Sequence, residues 1–557
     1  MEGRTQPPDT PQRIAMADTT AAPAHTKSIA DFTPPHPGSP LMPRWDGGEL
    51  PAPPVFSWKH VAAFVGPGLV AGASAIGAGE WLNGPMTCAR YGGSMLWLAT
   101  ISILGQIVYN MEVSRYTLYT GESIFTGKFR TMPGPLFWLL VYLILDFGTI
   151  FPYLAASAGT PVYCIFNGHM PDKTNPADKQ MLEYISYGVF LLAIVPLLFG
   201  GKVYNSIRSL MTFKIFTVLG FLAILAVFYS NWSTWVEIGS GFLKFGNVPV
   251  AGAPAAGASY PTENIFVNWW NGKPMPDLDL SMIAILGAMA ALAGNGGLTN
   301  TNVSGYTRDQ GWGMGKHVGA IPSVVGGHSV KLSHVGMVFP ISTDSVKRFA
   351  GWYRHIFRDQ FFLFGIASFV GLAMPSMLSV QFMPRGSETD PWLAAGMTAE
   401  GVYQAVNSPL LSPAAWFMTL FCGFLVLALS TTTTADGYFR RWIDVLWTGL
   451  PAMRKWKPHS VGKLYFAFLC GYCCIGLCIL IWVPQGLIMK VATNIYNYAL
   501  GISCLHVLYV NLTLLPRELK PNWFIRGALV FSAVFFIGLA YITTLTLLPE
   551  VQKAWSS

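Results

Sequence analysis

Apolar stretches long enough to cross the hydrocarbon core of a bilayer recur along most of the chain, near residues 61–82, 94–117, 135–160, 185–203, 211–230, 281–303, 360–379, 413–435, 462–483, 487–514 and 524–547. The pattern predicts about eleven membrane helices. Two longer stretches interrupt it. Residues 231–280 are rich in Gly, Ala, Pro and Trp, and 305–358 carry most of the charge outside the apolar runs. Residues 1–55 contain Pro34-Pro35 and Pro53-Pro54 but no apolar run and no positively charged start before one. They read as an unstructured tail rather than a signal peptide.

Composition agrees with this pattern. Of 557 residues, 52% are hydrophobic and only 11% charged, outside the range of soluble globular domains. The net charge of +8 is spread in small groups between apolar segments, as topology signals are and as a nucleic-acid-binding patch is not. Most of the 35 Lys and Arg fall on the side of the tail, which predicts a multi-pass protein of the cell (inner) membrane with a cytoplasmic N-terminus. On that assignment 231–280 is an outer loop and 305–358 an inner one. The eight cysteines lie mainly within apolar segments, so no disulfide framework is implied. Cys470, Cys473, Cys474 and Cys478 share one helix, where thiolates cannot easily surround an ion. His317, His328, His334 and His355 form no i, i+4 ligand pair and are expected to be exposed loop residues. With no Ser/His/Asp grouping and no H-E-x-x-H, the sequence gives no sign of an enzyme or of a cofactor.

Candidate chemistry concentrates at Gly66–Gly92. This segment begins as a membrane helix, turns to glycine and alanine at Ile76–Gly79, and is followed at once by Glu80. Glycine tolerates the angles of a helix break. Irregular backbone at membrane depth survives only where protein buries it or where it lines a wet cavity. A broken first helix with a carboxylate at the break is how many secondary transporters build a ligand or ion site; close helix packing is the structural alternative. A second glycine-rich break is expected at Gly294–Gly297. Around it stand Asn295, Thr299, Asn300, Thr301 and Asn302, with Asn494 and Asn497 on the tenth segment. Taken singly, these amides equally suit cross-helix hydrogen bonds.

Gly66–Gly92 resembles the first helix of the Nramp family, proton-coupled importers of divalent transition metals: it opens Gly66-Pro67-Gly68 and breaks at Gly77-Ala78-Gly79-Glu80. Met95-Leu96-Trp97 and Arg115-Tyr116-Thr117-Leu118-Tyr119-Thr120-Gly121 resemble the family's second helix. The Ser/Thr run before Asp436-Gly437 resembles its eighth, and Leu514-Leu515-Pro516-Arg517 the end of its tenth. The resemblance implies an all-α, LeuT-like fold of two inverted five-helix repeats plus one helix, with helices one and six broken. It covers most of residues 58–547.

The family's chemistry is altered here. Its D-P-G-N aspartate and asparagine fall on Gly77 and Glu80, and Gly294-Asn295-Gly296 stand where its M-P-H should be. Its third-helix glutamate falls on Asp146, and two further acidic positions on Tyr153 and Ala156. Without the Met sulfur, selection for soft metals has no visible source. The resulting expectation is a secondary transporter moving a divalent cation such as Mg or Mn, with protons. Its cargo site would be built from Gly77, Ala78, Glu80, Gly294, Asn295, Thr299, Asn494 and Asn497, with Glu80 as metal ligand and Asp146 as proton carrier. The oxygen-rich site also suits a small polar organic solute of the amino-acid type. The expected partners are therefore the lipid bilayer and a small inorganic cation or polar solute.

Overall fold

The computed structural model describes residues 32–54, 77, 79–172, 174–198, 201–319, 333–388, 390, 393–456 and 461–556. Among these, nine helices are long and apolar enough to cross a membrane, and a tenth span is formed if the bent pair Gly79–Met95 and Trp97–Thr120, which meet at 97°, is counted as one. That pair contains the last four residues of the first expected segment, 79–82, and nearly all of the second. Residues 55–76 and Ala78 lie outside the described residues. Every later segment has its counterpart. The fourth helix, Pro176–Leu198, begins earlier than the apolar run because Pro176 opens it and its first turns are polar. The third is interrupted between Pro135–Leu145 and Tyr153–Asn167.

The seventh segment differs most from expectation. Residues Thr343–Arg358, expected within a loop, form an amphipathic helix that runs through a π-helical turn into Ile366–Phe382. Ser342 starts it by accepting from the Ser345 amide at 3.1 Å, with the reciprocal bond also made. Its charged face hides it from a search for apolar runs.

The sixth helix is broken. Ile283–Leu292 ends at Ala293, and after Gly294–Gly296 the chain resumes as a 3-10 turn, Gly297–Thr301, and the helix Asn302–Asp309. Its first half packs against the second (Trp97–Thr120), tenth (Gln485–Thr513) and eleventh (Trp523–Ser556) helices. The described part of the first helix, a π-helical turn at Gly79–Asn83 leading into Gly84–Tyr91, crosses the end of that first half. At the crossing, a Cβ on Gly79 would sit 2.5 Å from the Leu292 carbonyl oxygen. Only glycine permits this approach.

The two faces of the bundle are built differently. On one, residues 232–281 form a helix (Trp232–Gly241), a two-stranded ribbon (Asn247–Pro249 with Thr262–Asn264) and a short helix (Ile265–Trp270). Glu237 accepts from the Gly93 amide at 3.0 Å and pairs with Arg385 at 2.7 Å, and Arg90 stacks on Tyr260 at 3.9 Å. This region therefore fastens the ends of helices one and seven.

On the opposite face, residues 32–54 are packed as a strap, in contrast to the unstructured tail expected up to residue 55. Asp46–Gly47 pairs in parallel with Met337–Val338, and Met42, Trp45 and Leu50 are buried. Trp45 meets Tyr119 edge-on at 6.1 Å and lies under the Arg130 guanidinium at 4.9 Å; Arg130 also donates to the Pro43 carbonyl at 2.6 Å. The apolar content that holds the strap is three well-separated side chains, too sparse to register as a core run. Trp45→Ala should lower stability by about 3 kcal/mol, read as a fall in the midpoint of thermal unfolding in detergent; an unchanged midpoint would mean that the strap is only loosely attached.

Candidate functional site

Helix breaks leave backbone amides without intrahelical partners, and inside a bilayer no water replaces them. Here one side chain serves both breaks. Glu80 is 1% exposed. Its Oε2 accepts from the Gly77 amide at 3.0 Å and its Oε1 from the Gly294 amide at 3.0 Å. The negative charge sits where the amides of unwound backbone converge, the favourable place for an anion. Gly294 has φ +98, and a Cβ there would approach Phe364 to 2.9 Å, so the turn that presents its amide to Glu80 requires glycine.

The remaining polar groups of the sixth-helix break are caught by the second helix. Gln106 Oε1 accepts from the Asn295 amide at 2.9 Å and from Asn300 Nδ2 at 3.1 Å, while its Nε2 donates to the Ala293 carbonyl at 2.7 Å. Ser102 donates to the Ala290 carbonyl, and Asn300 to that of Asn295 at 2.8 Å. Several carbonyls that a broken helix would offer to a cation are thus already occupied.

Between the breaks lies a cavity of about 50 Å³, lined by Gly77, Gly79, Glu80, Leu292, Gly294, Asn295, Gly296, Thr299, Val303 and Tyr306, by Tyr153 and Leu154 of the third helix, by Ser430, Thr433 and Thr434 of the eighth (Leu411–Gly449), and by Tyr496 of the tenth. That is room for roughly three or four waters. Of the residues expected at the site, Gly77, Glu80, Gly294, Asn295 and Thr299 line this cavity; Ala78 lies outside the described residues. Asn494 and Asn497 point elsewhere. Asn494 donates to Thr544 at 2.8 Å and Asn497 to the Gly287 carbonyl at 3.0 Å, so both tie helices together while Tyr496 faces the cavity. The three tyrosines and Gln106 escaped sequence reading, the tyrosines because they look like ordinary aromatic core. The Ser/Thr run at 430–434 was a usable signal for the hydroxyl wall.

Asp146 sits in the interruption of the third helix, beside the cavity rather than in its lining. Arg441 binds it through two donors at 2.8 and 2.7 Å, Trp442 Nε1 donates at 2.7 Å and Thr149 Oγ1 at 2.7 Å. This buried ion pair clamps the third helix to the eighth. A second buried pair, Arg308 with Asp444 at 2.7 Å, joins the sixth and eighth helices. Arg308, Arg441 and Asp444 line a smaller cavity that shares Tyr306 with the central one. Lys214 of the fifth helix (Gly201–Tyr229) is fully buried, and its charge and that of Glu80 attract each other.

Among the described residues, no group of three or more His, Cys, Asp or Glu could hold a metal ion. His317 bonds the Glu49 carbonyl at 2.9 Å and His334 stacks on Trp447 at 4.5 Å. His355 is buried against Trp312, where an exposed loop residue was expected; it belongs to the unforeseen amphipathic helix. His328 lies outside the described residues.

No family model matches the chain, and no curated protein matches it. Solved structures do. A manganese transporter from Eremococcus coleocola, in complex with an aromatic bis-isothiourea substituted compound, aligns with a TM-score of 0.52 at 14% identity over 89% of each chain. A single-residue variant of that transporter aligns with a TM-score of 0.57 at 14% identity, over 90% of this chain and 89% of the other. The chain shares this transporter's fold. At the level of fold, the LeuT-like architecture expected from Gly66–Gly92 and Arg115–Gly121 is the observed one.

Breaking a buried ion pair from one side costs about 3–5 kcal/mol because a charge is left uncompensated. Asp146→Leu should therefore be strongly destabilising, and adding Arg441→Met should restore most of the loss. Thermal unfolding of the two variants checks this; equal losses in both would deny that the pair is coupled.

Proposed function

We propose that the chain is a secondary transporter whose cargo is a small, hard cation held between the two breaks, with Glu80 supplying the charge. The observation that carries this reading is the bridging carboxylate at a small polar cavity. Each Glu80 oxygen accepts one backbone bond and keeps a lone pair, and around it stand the Asn295 amide, the Thr299, Ser430, Thr433 and Thr434 hydroxyls and three tyrosines. An all-oxygen set without sulfur suits a cation such as Mg or Mn that keeps part of its water shell. A cavity of about 50 Å³ also favours an ion with a few waters over a bulky solute. Asp146 acts in this scheme as the latch between the third and eighth helices, accepting a proton when Arg441 is withdrawn. The excess of Lys and Arg on the face of the strap supports placing that face in the cytoplasm, in the cell membrane.

A second reading is favoured by one observation. Lys214 is buried and offsets the charge of Glu80, and a buried carboxylate with a buried cation near it also suits a small zwitterionic solute.

Uptake into proteoliposomes of Mn, Mg and Ca, beside a panel of amino acids, separates the two. Glu80→Gln keeps the size of the side chain but replaces one acceptor oxygen with a donor, and should reduce cation uptake about tenfold or more. Unchanged cation uptake in Glu80→Gln would refute the role given to Glu80, and uptake of an amino acid alone would favour the second reading.

A further inference from the structure

The short helix Ile124–Arg130, between the second and third membrane segments, carries a lysine in an unusual setting. Lys128 is fully buried, and among the described residues it makes no ion pair. Its hydrogen-bond partners are two hydroxyls, Ser503 Oγ of the tenth helix at short range and Tyr109 OH of the second at 3.5 Å. Its other neighbours are aromatic, the Tyr142 ring at 4.7 Å and the Phe125 ring at 5.9 Å. Two hydroxyls and two ring faces compensate an ammonium poorly for the water it has lost. Methionine would fill much of the same volume without that cost, so the amine calls for a functional explanation. Burial pulls Lys128 from the ordinary lysine value of 10.5 down to about 7; Cys504 and Asp146 oppose the shift and Arg441 adds to it.

A line of hydrogen bonds runs beside this amine, among Thr131, His506 and Tyr142. Thr131 Oγ1 donates to the Lys128 carbonyl at 2.6 Å and lies 2.8 Å from His506 Nε2, so the threonine accepts there and the imidazole proton is on Nε2. His506 Nδ1 then accepts from Tyr142 OH at 2.8 Å. The Tyr142 ring faces the Lys128 ammonium, and Ser503, the partner of Lys128, lies 2.6 Å from Tyr109 OH. Trp138 lies over the imidazole at 3.8 Å and fixes its plane. At the far end, Met132 follows Thr131 and is 55% exposed.

We propose that Lys128 is a proton-exchange site whose charge acts on the Asp146–Arg441 clamp. When the ammonium releases its proton, that proton leaves for water and the hydroxyls and imidazole around it keep their own protons. Lys128 alone changes charge. The groups facing it are Tyr109 from the second helix, Tyr142 and Asp146 from the third, Arg441 from the eighth, and Cys504 and His506 from the tenth. Charged Lys128 attracts Asp146 and repels Arg441, and so loosens the pair; neutral Lys128 leaves it tight. The link to cargo movement rests on the transporter reading, whereas proton exchange at Lys128 does not.

The sign of the pH effect follows from linkage. An unfolded lysine keeps its proton to about 10.5 and the buried one only to about 7, so between these values the unfolded state binds more protons and stability rises with pH. Thermal unfolding in detergent, compared for wild type and Lys128→Met from about pH 6 to about pH 10, should show the variant several degrees more stable at the acid end and the difference closing toward the alkaline end. A difference that stays constant with pH would overturn the proposal. In proteoliposomes, uptake of manganese ion by wild type should change several-fold with strap-side pH between about 6 and 8, and that dependence should vanish in Lys128→Met. Dependence retained in Lys128→Met would overturn the coupling. If wild type takes up no manganese, the cation reading fails and the melting comparison alone decides Lys128.

Discussion

Backbone amides that a helix no longer satisfies must find acceptors within the protein once they are removed from water, and in this chain a single carboxylate meets that need at two places at once. Glu80 closes on Gly77 and on Gly294, joining the start of the described first helix to the break of the sixth through one side chain. Gly79 packing on Leu292, Gln106 holding the sixth-helix break and the left-handed turn at Gly294 all serve the same end. They keep unwound backbone in register at a depth where an unpaired polar group costs several kcal/mol.

The consequence for chemistry is a division of labour. The second helix, through Gln106 and Ser102, takes up carbonyls of the sixth-helix break, and Glu80 takes an amide from each break. The polar groups left facing the cavity are side chains of the third, sixth, eighth and tenth helices. Those elements are in turn held together by Asp146–Arg441 and Arg308–Asp444. A change in either ion pair would therefore move these helices relative to one another beside the cavity. The outer fastening at Glu237–Arg385 and the strap at Trp45 sit at the two ends of the same bundle.

Much of this was legible in the sequence. Membrane helices announce themselves by length and apolarity, and the glycine cluster at 294–297 marked the sixth-helix break because few other residues survive there. Glu80 stood out as the one acidic residue beside a break. Other features were hidden for physical reasons. The amides of Asn494 and Asn497 lie on the same helix as Tyr496 but on other faces, and a helical face cannot be assigned until its neighbours are known. Gln106 lies in an unremarkable stretch of the second helix, and its role depends on a partner nearly two hundred residues away. The amphipathic start of the seventh helix and the strap at 32–54 bury scattered residues against protein rather than lipid, so neither gives an apolar run.

The central claim is that the Glu80 carboxylate is the charged element of a cargo site, exchanging part of its backbone bonding for the cargo. Infrared difference spectroscopy on the protein in lipid, with and without added manganese ion, tests this most directly. A shift of carboxylate stretching bands that disappears in Glu80→Gln is the predicted result, and bands that do not respond to the ion, or a response that persists in Glu80→Gln, would contradict it.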